Sequence, residues 1–297
     1  MDVNVSRWMK ANTQALVGRT VAITGATGGL GGAVCRHLLS LGAGLILLDR
    51  NKKKSDALKA ALLEEYPQAI IRQIPLDLSD MSSVKAACDA LESETFDVLI
   101  HNAGAYSIPR CICDTGYDNV FQINFVSPYY MTCRLLPLLR SRGGRVVAVG
   151  SIAHNYSVTD GTDVDFRTRK KASLVYGNAK RYLMYALHEL FREEEGATLA
   201  VTHPGITFTN ITAHYPPLIF ALIKHPMKVI FMSPRRAALS IVRGVFEKSD
   251  YRTWIGPRLF DVWGVPSVKR LKTASDEEIA RIDRAAREIY DEILQKR

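Results

Sequence analysis

Short apolar runs alternate along this chain with longer stretches whose apolar residues recur at helical spacing. Residues 20–24, 44–48, 69–75, 96–100, 145–149 and 198–202 read as strands. Residues 44–48 form a continuous apolar run, the pattern of a parallel strand buried on both faces. Between them, residues 30–41, 52–65, 79–93, 117–140 and 176–191 read as helices. Strictly alternating strand and helix at crossover spacing predicts an α/β fold, a doubly wound parallel sheet forming a single domain. Residues 1–17 read as a leader, with a short helix through Trp8 and Met9, before a domain spanning 18–297.

The stretch from Val21 to Gly31 organises the rest. A strand breaks into Gly25-Ala-Thr27-Gly-Gly29-Leu30-Gly31 and then into a helix, the opening of a nucleotide-binding βαβ unit. Gly25 suits a turn that side chains would obstruct, while Gly29 and Gly31 permit close approach of a pyrophosphate and of the neighbouring strand. Free N–H groups of the first helical turn would face the phosphates. Asp49 ends the next strand. Ligands in such sheets sit at the carboxyl ends of the strands, and Gly25, Asp49, Asp77, Asn102, Ser151 and Pro204 all fall there.

The 297 residues suffice for a substantial core, and 47% hydrophobic with 23% charged residues is ordinary for a globular protein. A net charge of +9 raises nucleic acid or an anionic surface as partners, but the excess is scattered, with small clusters at 52–54 and 167–171. Affinity for a phosphate-bearing cofactor accounts for it more simply, and no nucleic-acid partner is expected. The five cysteines, Cys35, Cys88, Cys111, Cys113 and Cys133, form no CxxC pair, which suggests reduced thiols in a cytoplasmic setting. Residues 1–14 lack the apolar core of a signal peptide, no run reaches transmembrane length, and no metal site is expected.

Tyr176-Gly-Asn-Ala-Lys180 places a tyrosine and a lysine one turn apart on one helix face. A free tyrosine titrates near pH ~10, too high for a base at neutrality. A nearby ammonium and an oxidised nicotinamide would both favour the phenolate. Ser151 could hydrogen-bond the substrate oxygen beside it.

With these residues in chain order, the sequence resembles the short-chain dehydrogenase/reductase family over roughly residues 18–210, a Rossmann-type fold. Thr24-Gly25-x-x-x-Gly29-x-Gly31 is similar to that family's cofactor motif, Asp77 with Leu78 to its adenine-contacting position, and Asn102-Ala103-Gly104 to its sheet-steadying turn. Asn124, Ser151, Tyr176 and Lys180 match its catalytic tetrad, and Pro204-Gly205 with Thr207 and Thr209 matches the segment that wraps the nicotinamide. The resemblance implies that Tyr176 is the general acid/base and that Ser151 orients and polarises the carbonyl. It further implies that Lys180 binds the nicotinamide ribose and lowers the tyrosine pKa, and that Asn124 holds a relay water.

Two features depart from the commonest pattern. Gly28 and Gly31 also satisfy the TGxxGxxG spacing of the family's longer, epimerase-like branch, although the Asn-Ala-Gly turn favours the shorter one. Ser151 and Tyr176 stand 25 positions apart, about twice the spacing of many members. Retinol-dehydrogenase-like and protochlorophyllide-reductase-like members share such an insert and Ser-x-Ala-His, here Ser151-Ile-Ala-His154. The polar insert, residues 154–173, is expected to border the substrate mouth, the alternative being a decorative surface loop; His154 reads as structural. A carboxylate at Asp49 would accept a hydrogen bond from the ribose 2′-hydroxyl of NAD and repel the 2′-phosphate of NADP. Arg50 and Lys52 to Lys54 pull the other way, leaving NAD expected and NADP open.

Residues 215–232 are strongly apolar but broken by prolines and lysines. They read as a helical substrate lid, about 207–232, with a membrane-surface patch as the alternative. Either suggests a hydrophobic alcohol or carbonyl substrate. Residues 233–246 read as a helix with Pro234 at its first position, and 252–255 as a last strand. Ser275-Asp-Glu-Glu278 reads as a capping box opening a tail helix with Ile279, Ile282, Ala286, Ile289 and Ile293 on one stripe. That helix packs on its own domain or, alternatively, on a second subunit. Trp254, Trp263 and Phe260 are expected in the core. The function expected is hydride transfer between NAD(P) and a hydrophobic alcohol or carbonyl; the alternative is a catalytically silent dinucleotide-binding regulator or scaffold.

Overall fold

The computed structural model describes residues 4–206, 232–271 and 274–295. Its centre is an eight-stranded sheet in the order β3-β2-β1-β4-β5-β6-β7-β8. The strands are β1 Thr20–Thr24, β2 Gly44–Asp49, β3 Ile71–Pro75, β4 Val98–His101, β5 Arg145–Val149, β6 Thr198–Thr202, β7 Thr253–Leu259 and β8 Trp263–Arg270. The first seven run parallel, and β8 returns antiparallel along the edge. Strand order reverses between β1 and β4, the crevice where doubly wound sheets bind ligands.

Helices cover both faces. Those described are α1 Val5–Asn12, α2 Gly29–Ser40, α3 Lys52–Glu65, α4 Met81–Glu92, α5 Asn119–Phe121, α6 Ser127–Arg140, α7 Ala172–Leu190, α8 Pro234–Phe246 and α9 Asp276–Gln295. Side chains of α4, α6, α7 and α9 pack on one face of the sheet, around Phe121, Phe125, Leu183 and Ile282. Those of α2 and α8 pack on the other, around Val34, Leu38 and Ile241. Both clusters are apolar on each strand face, which is why the central strands read as continuous apolar runs. In the leader, Trp8 and Met9 bury against Leu239 and Val242 of α8.

Side-chain caps set several boundaries. The Asp80 carboxylate accepts from the N–H groups of Ser82 (2.9 Å) and Ser83 (3.4 Å), so α4 starts at Met81 rather than at 79. α7 starts four residues ahead of Tyr176, buried against the insert. The helix expected over 117–140 is instead interrupted by a π-helical segment, Gln122–Val126.

The C-terminal region differs most from expectation. The strand expected at 252–255 extends to Leu259 and is followed by β8, an edge strand that periodicity did not show because Gly264 and Pro266 break the pattern. Trp254 is buried as expected, but Phe260 is 81% exposed and Trp263 38% exposed at the hairpin tip. The capping box is half formed: the N–H of Glu278 donates to Ser275 Oγ at 3.2 Å, whereas the Glu278 carboxylate turns to Arg181 and Thr159. The stripe on α9 packs on its own chain. The expected lid lies outside the described residues apart from Met232, and no described helix is long and apolar enough to cross a membrane.

Candidate active site

The carboxyl ends of β1 to β6 bring the sequence-selected residues to one crevice. Gly25 adopts φ +69°, and a side chain there would meet the Cα and Cβ of Ala103 at 2.9 Å. A Cβ at Gly31 would collide with Gly25 and Ala26 and lie 2.9 Å from Asn102 Nδ2, so this glycine lets α2 seat on the turn. Asn102 completes that seat, its Nδ2 donating to Thr24 O (2.9 Å) and Gly25 O (3.1 Å), while Thr24 Oγ1 accepts from the N–H of Ala103 (2.9 Å).

Gly28 and Gly29 are different. Both are exposed, and a Cβ at Gly29 would meet nothing nearer than 3.9 Å. Among the described residues no side chain caps the first turn of α2, whose N–H groups and positive dipole end face this open cradle alongside Leu30. The residues present therefore fit a pyrophosphate.

Around the cradle, Asp49 is buried and held by three donors. Its Oδ1 accepts from the N–H (3.0 Å) and Oγ1 (2.9 Å) of Thr27, and its Oδ2 from Ser55 Oγ (3.2 Å). Ser55 in turn accepts from Gln73 Nε2 at 3.0 Å. Arg50 points outward, 3.8 Å from Asp77, and Lys52 pairs with Asp56 at 2.8 Å. Asp77 Oδ1 accepts from Ser79, and Leu78 O accepts from Ser127 Oγ at 2.7 Å. Pro204 is buried, and Gly205 holds φ +80° against Val262 O and Pro257. Thr207 and Thr209 lie outside the described residues.

Tyr176, partly open to the crevice, lies close enough to Ser151, which stands just beyond β5, for the serine to lower its pKa. A side chain at Gly177 would drive into Ala153 O and Ser157 Oγ, so the glycine lets α7 lie against the 3₁₀ turn Ile152–Tyr156 that follows Ser151. Lys180 is buried one turn on. Its Nζ donates to Val149 O at 2.9 Å and sits 5.8 Å from the centre of the Tyr176 ring. Gly104 leaves room for this group, since a Cβ there would lie 3.6 Å from Lys180 Nζ and 2.8 Å from Asn124 Oδ1. Asn124 lies in the π-helical segment, its Nδ2 donating to Ala105 O and Val120 O at 2.8 Å and its Oδ1 accepting from the Ala105 N–H at 3.3 Å. Its side chain is thus committed to protein partners, and a relay water here would fall to main-chain groups.

Burial dominates the electrostatics. Desolvation pushes the Tyr176 phenol up to about 12, against the lowering effect of the neighbouring Ser151, and pulls Lys180 down to about 8. Lys180, 5.8 Å from the ring centre, does not offset that burial.

Sequence reading missed several contributors. Tyr106 follows the Asn-Ala-Gly turn, and its ring meets Tyr176 edge-on at 5.3 Å. Ser55 carried no signal beyond its helix. The insert is a fixed part of the fold: Asp165 accepts from the Asp118 N–H at 2.7 Å, and Asn178 donates to Val164 O at 2.8 Å. Its Phe166 joins Val120 and Val175 in an apolar cluster against Ile108, Leu174 and Tyr176. His154 is structural, its Nδ1 2.7 Å from Ser151 O and its ring edge-on to Trp254.

Four of the five buried histidines among the described residues carry the larger consequence for stability. Desolvation lowers His101 to about 3 and His154, His188 and His203 to about 4. In the unfolded chain they bind protons below about pH 6.5, where the folded chain keeps them neutral, so stability falls as pH drops from about 6.5 toward 4. Each histidine contributes up to about 1.4 kcal/mol per pH unit in that window. Urea midpoints should therefore be markedly lower at pH 5 than at pH 7, and equal midpoints would mean that these side chains are already charged in the fold.

A doubly wound sheet with a glycine cradle at its switch point and a Ser-Tyr-Lys set beside it defines a dinucleotide-binding oxidoreductase fold. The chain belongs to the short-chain dehydrogenase family, whose sequence model matches residues 19–163. It is 32% identical to retinol dehydrogenase 14 of Homo sapiens over 243 residues, 74% of this chain and 72% of that protein. It is 33% identical to the Mus musculus protein of the same name over 214 residues, which span 66% of this chain and 64% of the relative's length. Among solved structures, an uncharacterised protein from Mycobacterium paratuberculosis superposes with a TM-score of 0.74 at 24% identity, covering 96% of this chain and 97% of its own.

Proposed function

We propose that the protein transfers hydride between a nicotinamide dinucleotide and a hydrophobic alcohol or carbonyl compound, with NAD preferred and Tyr176 as the general acid/base. The observation that carries the reading is Tyr176 beside Ser151 at the carboxyl end of β5, with the buried, main-chain-anchored Lys180 5.8 Å from the tyrosine ring centre. Family membership and the retinol dehydrogenase relatives support the reaction type.

When bound, the nicotinamide supplies the hydride donor or acceptor; the chain's own residues do the rest. Gly28, Gly29 and the first turn of α2 bind the pyrophosphate, and Asp49, pre-oriented by Thr27 and Ser55, takes the adenosine ribose. Ser151 Oγ orients the substrate oxygen, and Tyr176 Oη gives it a proton in reduction or takes one in oxidation. Lys180 fixes the ribose side of the pocket. The partly exposed Ile108 and Leu174, backed by buried Phe166 and Val175, together with the Tyr106 ring would give the Tyr176 side of the crevice an apolar wall that favours greasy molecules.

Asp49 supports NAD over NADP because a buried, anchored carboxylate cannot swing away from a 2′-phosphate, while Arg50 is drawn to Asp77. Asp49→Ala should raise the affinity for NADPH relative to NADH by roughly tenfold, the scale of one lost charge contact at ~1.4 kcal/mol; an unchanged ratio would assign selectivity elsewhere. Titration of nicotinamide fluorescence with NADH and NADPH, followed by turnover assays on long-chain and aromatic alcohols and aldehydes, tests the whole reading. Binding of neither dinucleotide would overturn it. Binding without turnover on any such compound would favour a regulatory role.

A further inference from the structure

The hairpin joining β7 to β8 carries an unusual turn. The Val262 N–H donates to Leu259 O at 3.0 Å, and the two residues between them, Phe260 and Asp261, hold φ +52° and +58°. This positive-φ pair is the geometry that Asn-Gly or Asp-Gly supplies in two-residue hairpin turns, and a bulky aromatic residue resists it. Phe166 also holds φ +54°, but it is buried in an apolar cluster with the Arg169 guanidinium over its ring, so packing offsets its strain. Phe260 is 81% exposed and gains no such offset. Leu259 and Trp263 beside it are 43% and 38% exposed.

The tip is held firmly and faces a definite direction. His203 Nε2 lies 3.0 Å from Asp261 O, and Lys269 Nζ donates to Asp261 Oδ1 (2.8 Å) and Pro257 O (2.7 Å). Because β7 runs parallel to β6, its carboxyl end and the tip lie on the same edge of the sheet as Ser151 and Pro204. The apolar tip therefore projects from the side on which the candidate active site opens. Arg258 beside it is exposed and has no ion pair among the described residues, while Asp261 is neutralised by Lys269. The chain as a whole carries +9.

We propose that the β7–β8 tip is a membrane-docking element: Leu259, Phe260 and Trp263 enter the headgroup region of a bilayer bearing anionic lipid, with Arg258 at the phosphate level. The three side chains expose on the order of 300 Å², well short of the ~800 Å² per partner of a stable protein interface. That area, an aromatic-rich tip and an arginine with no ion pair among the described residues suit shallow interfacial insertion. Docking by the tip turns the substrate mouth toward the bilayer. The proposal stands independently of turnover.

The test uses the full chain with vesicles of phosphatidylcholine, with and without phosphatidylserine. Trp8 and Trp254 are buried, so a blue shift in tryptophan emission on adding vesicles reports Trp263. The expected result is a shift and co-sedimentation that strengthen with phosphatidylserine. Phe260→Asn should weaken vesicle binding at least tenfold, leave NADH binding unchanged, and keep or raise the thermal midpoint, since asparagine suits the turn. A lowered midpoint would show that the ring packs within the monomer and overturn the proposal. Equal vesicle binding by variant and parent would place the contact elsewhere on the chain and overturn it too. A vesicle-free dimer that Phe260→Asn dissociates would make a second copy the occupant, and equal binding to both vesicle types would remove the anionic-lipid assignment.

Discussion

Tyr176→Phe is expected to reduce turnover by ~10²–10⁴-fold while leaving the affinity for NADH within about twofold. The variant keeps the ring, and hence the edge-on contact with Tyr106 at 5.3 Å and the packing against Val120 and Val175. It loses only the hydroxyl, whose pKa the neighbouring Ser151 lowers. The loss should appear in kcat more than in KM, because proton transfer is felt in the transition state and scarcely in binding. Burial raises the Tyr176 phenol to about 12, and reduction with this group as the acid should run over a broad neutral range. Oxidation needs the phenolate, and its rate should climb with rising pH. Tyr106→Phe is the control, expected to retain most activity. Near-normal turnover by Tyr176→Phe would transfer the acid/base role to another group, and rate measurements in both directions decide it.

Glu278→Ala should lower stability by about 3–5 kcal/mol, on the order of 10 °C in thermal midpoint. Glu278 projects from α9, and its carboxylate takes Arg181 Nε (2.7 Å) and Nη2 (2.6 Å), then the N–H and Oγ1 of Thr159 (both 3.0 Å). Burial works to raise its pKa, but the bonds from Arg181 and Thr159 prevail and hold it below the usual carboxylate range. Removing it leaves a guanidinium that is 1% exposed without its counter-charge. Arg181 directly follows Lys180 and donates from Nη1 to His154 O at 2.8 Å, so one carboxylate ties the tail helix, the insert and the turn after Ser151 together. The conservative Glu278→Gln should recover part of the loss. Calorimetry showing less than about 1 kcal/mol for the alanine variant would mean that water replaces the carboxylate, as at surface pairs.

The nucleotide-binding half was legible because its signals are local. Glycines at 25 and 31 are required by φ and by close packing, and β1, β5 and β6 coincide with the ranges read from apolar runs. The same locality explains what failed. Phe260 and Trp263 were placed in the core on residue type alone, but a turn at the free edge of a sheet exposes whatever it carries. Glu278 satisfied the spacing of a capping box, yet a buried arginine some 97 positions earlier in the chain outcompetes a local N–H for its carboxylate. Ser55, Tyr106 and Gly177 gained their places only through neighbours distant in sequence.

The sequence by itself therefore determined the alternation of elements, the edge of the sheet at which Asp49, Asn102, Ser151 and Pro204 gather, and the placing of Tyr176 and Lys180 on one helix. Each depends on backbone conformation or on helical and strand periods, which act over a few residues. The tertiary structure alone decided that Asp49 is locked by Thr27 and Ser55, that burial raises the pKa of Tyr176, that Asn124 is spent on protein partners within a π-helical segment, and that an antiparallel edge strand raises an aromatic tip beside the crevice. Desolvation, hydrogen-bond competition and exposure depend on which distant segments meet, and no local pattern records that.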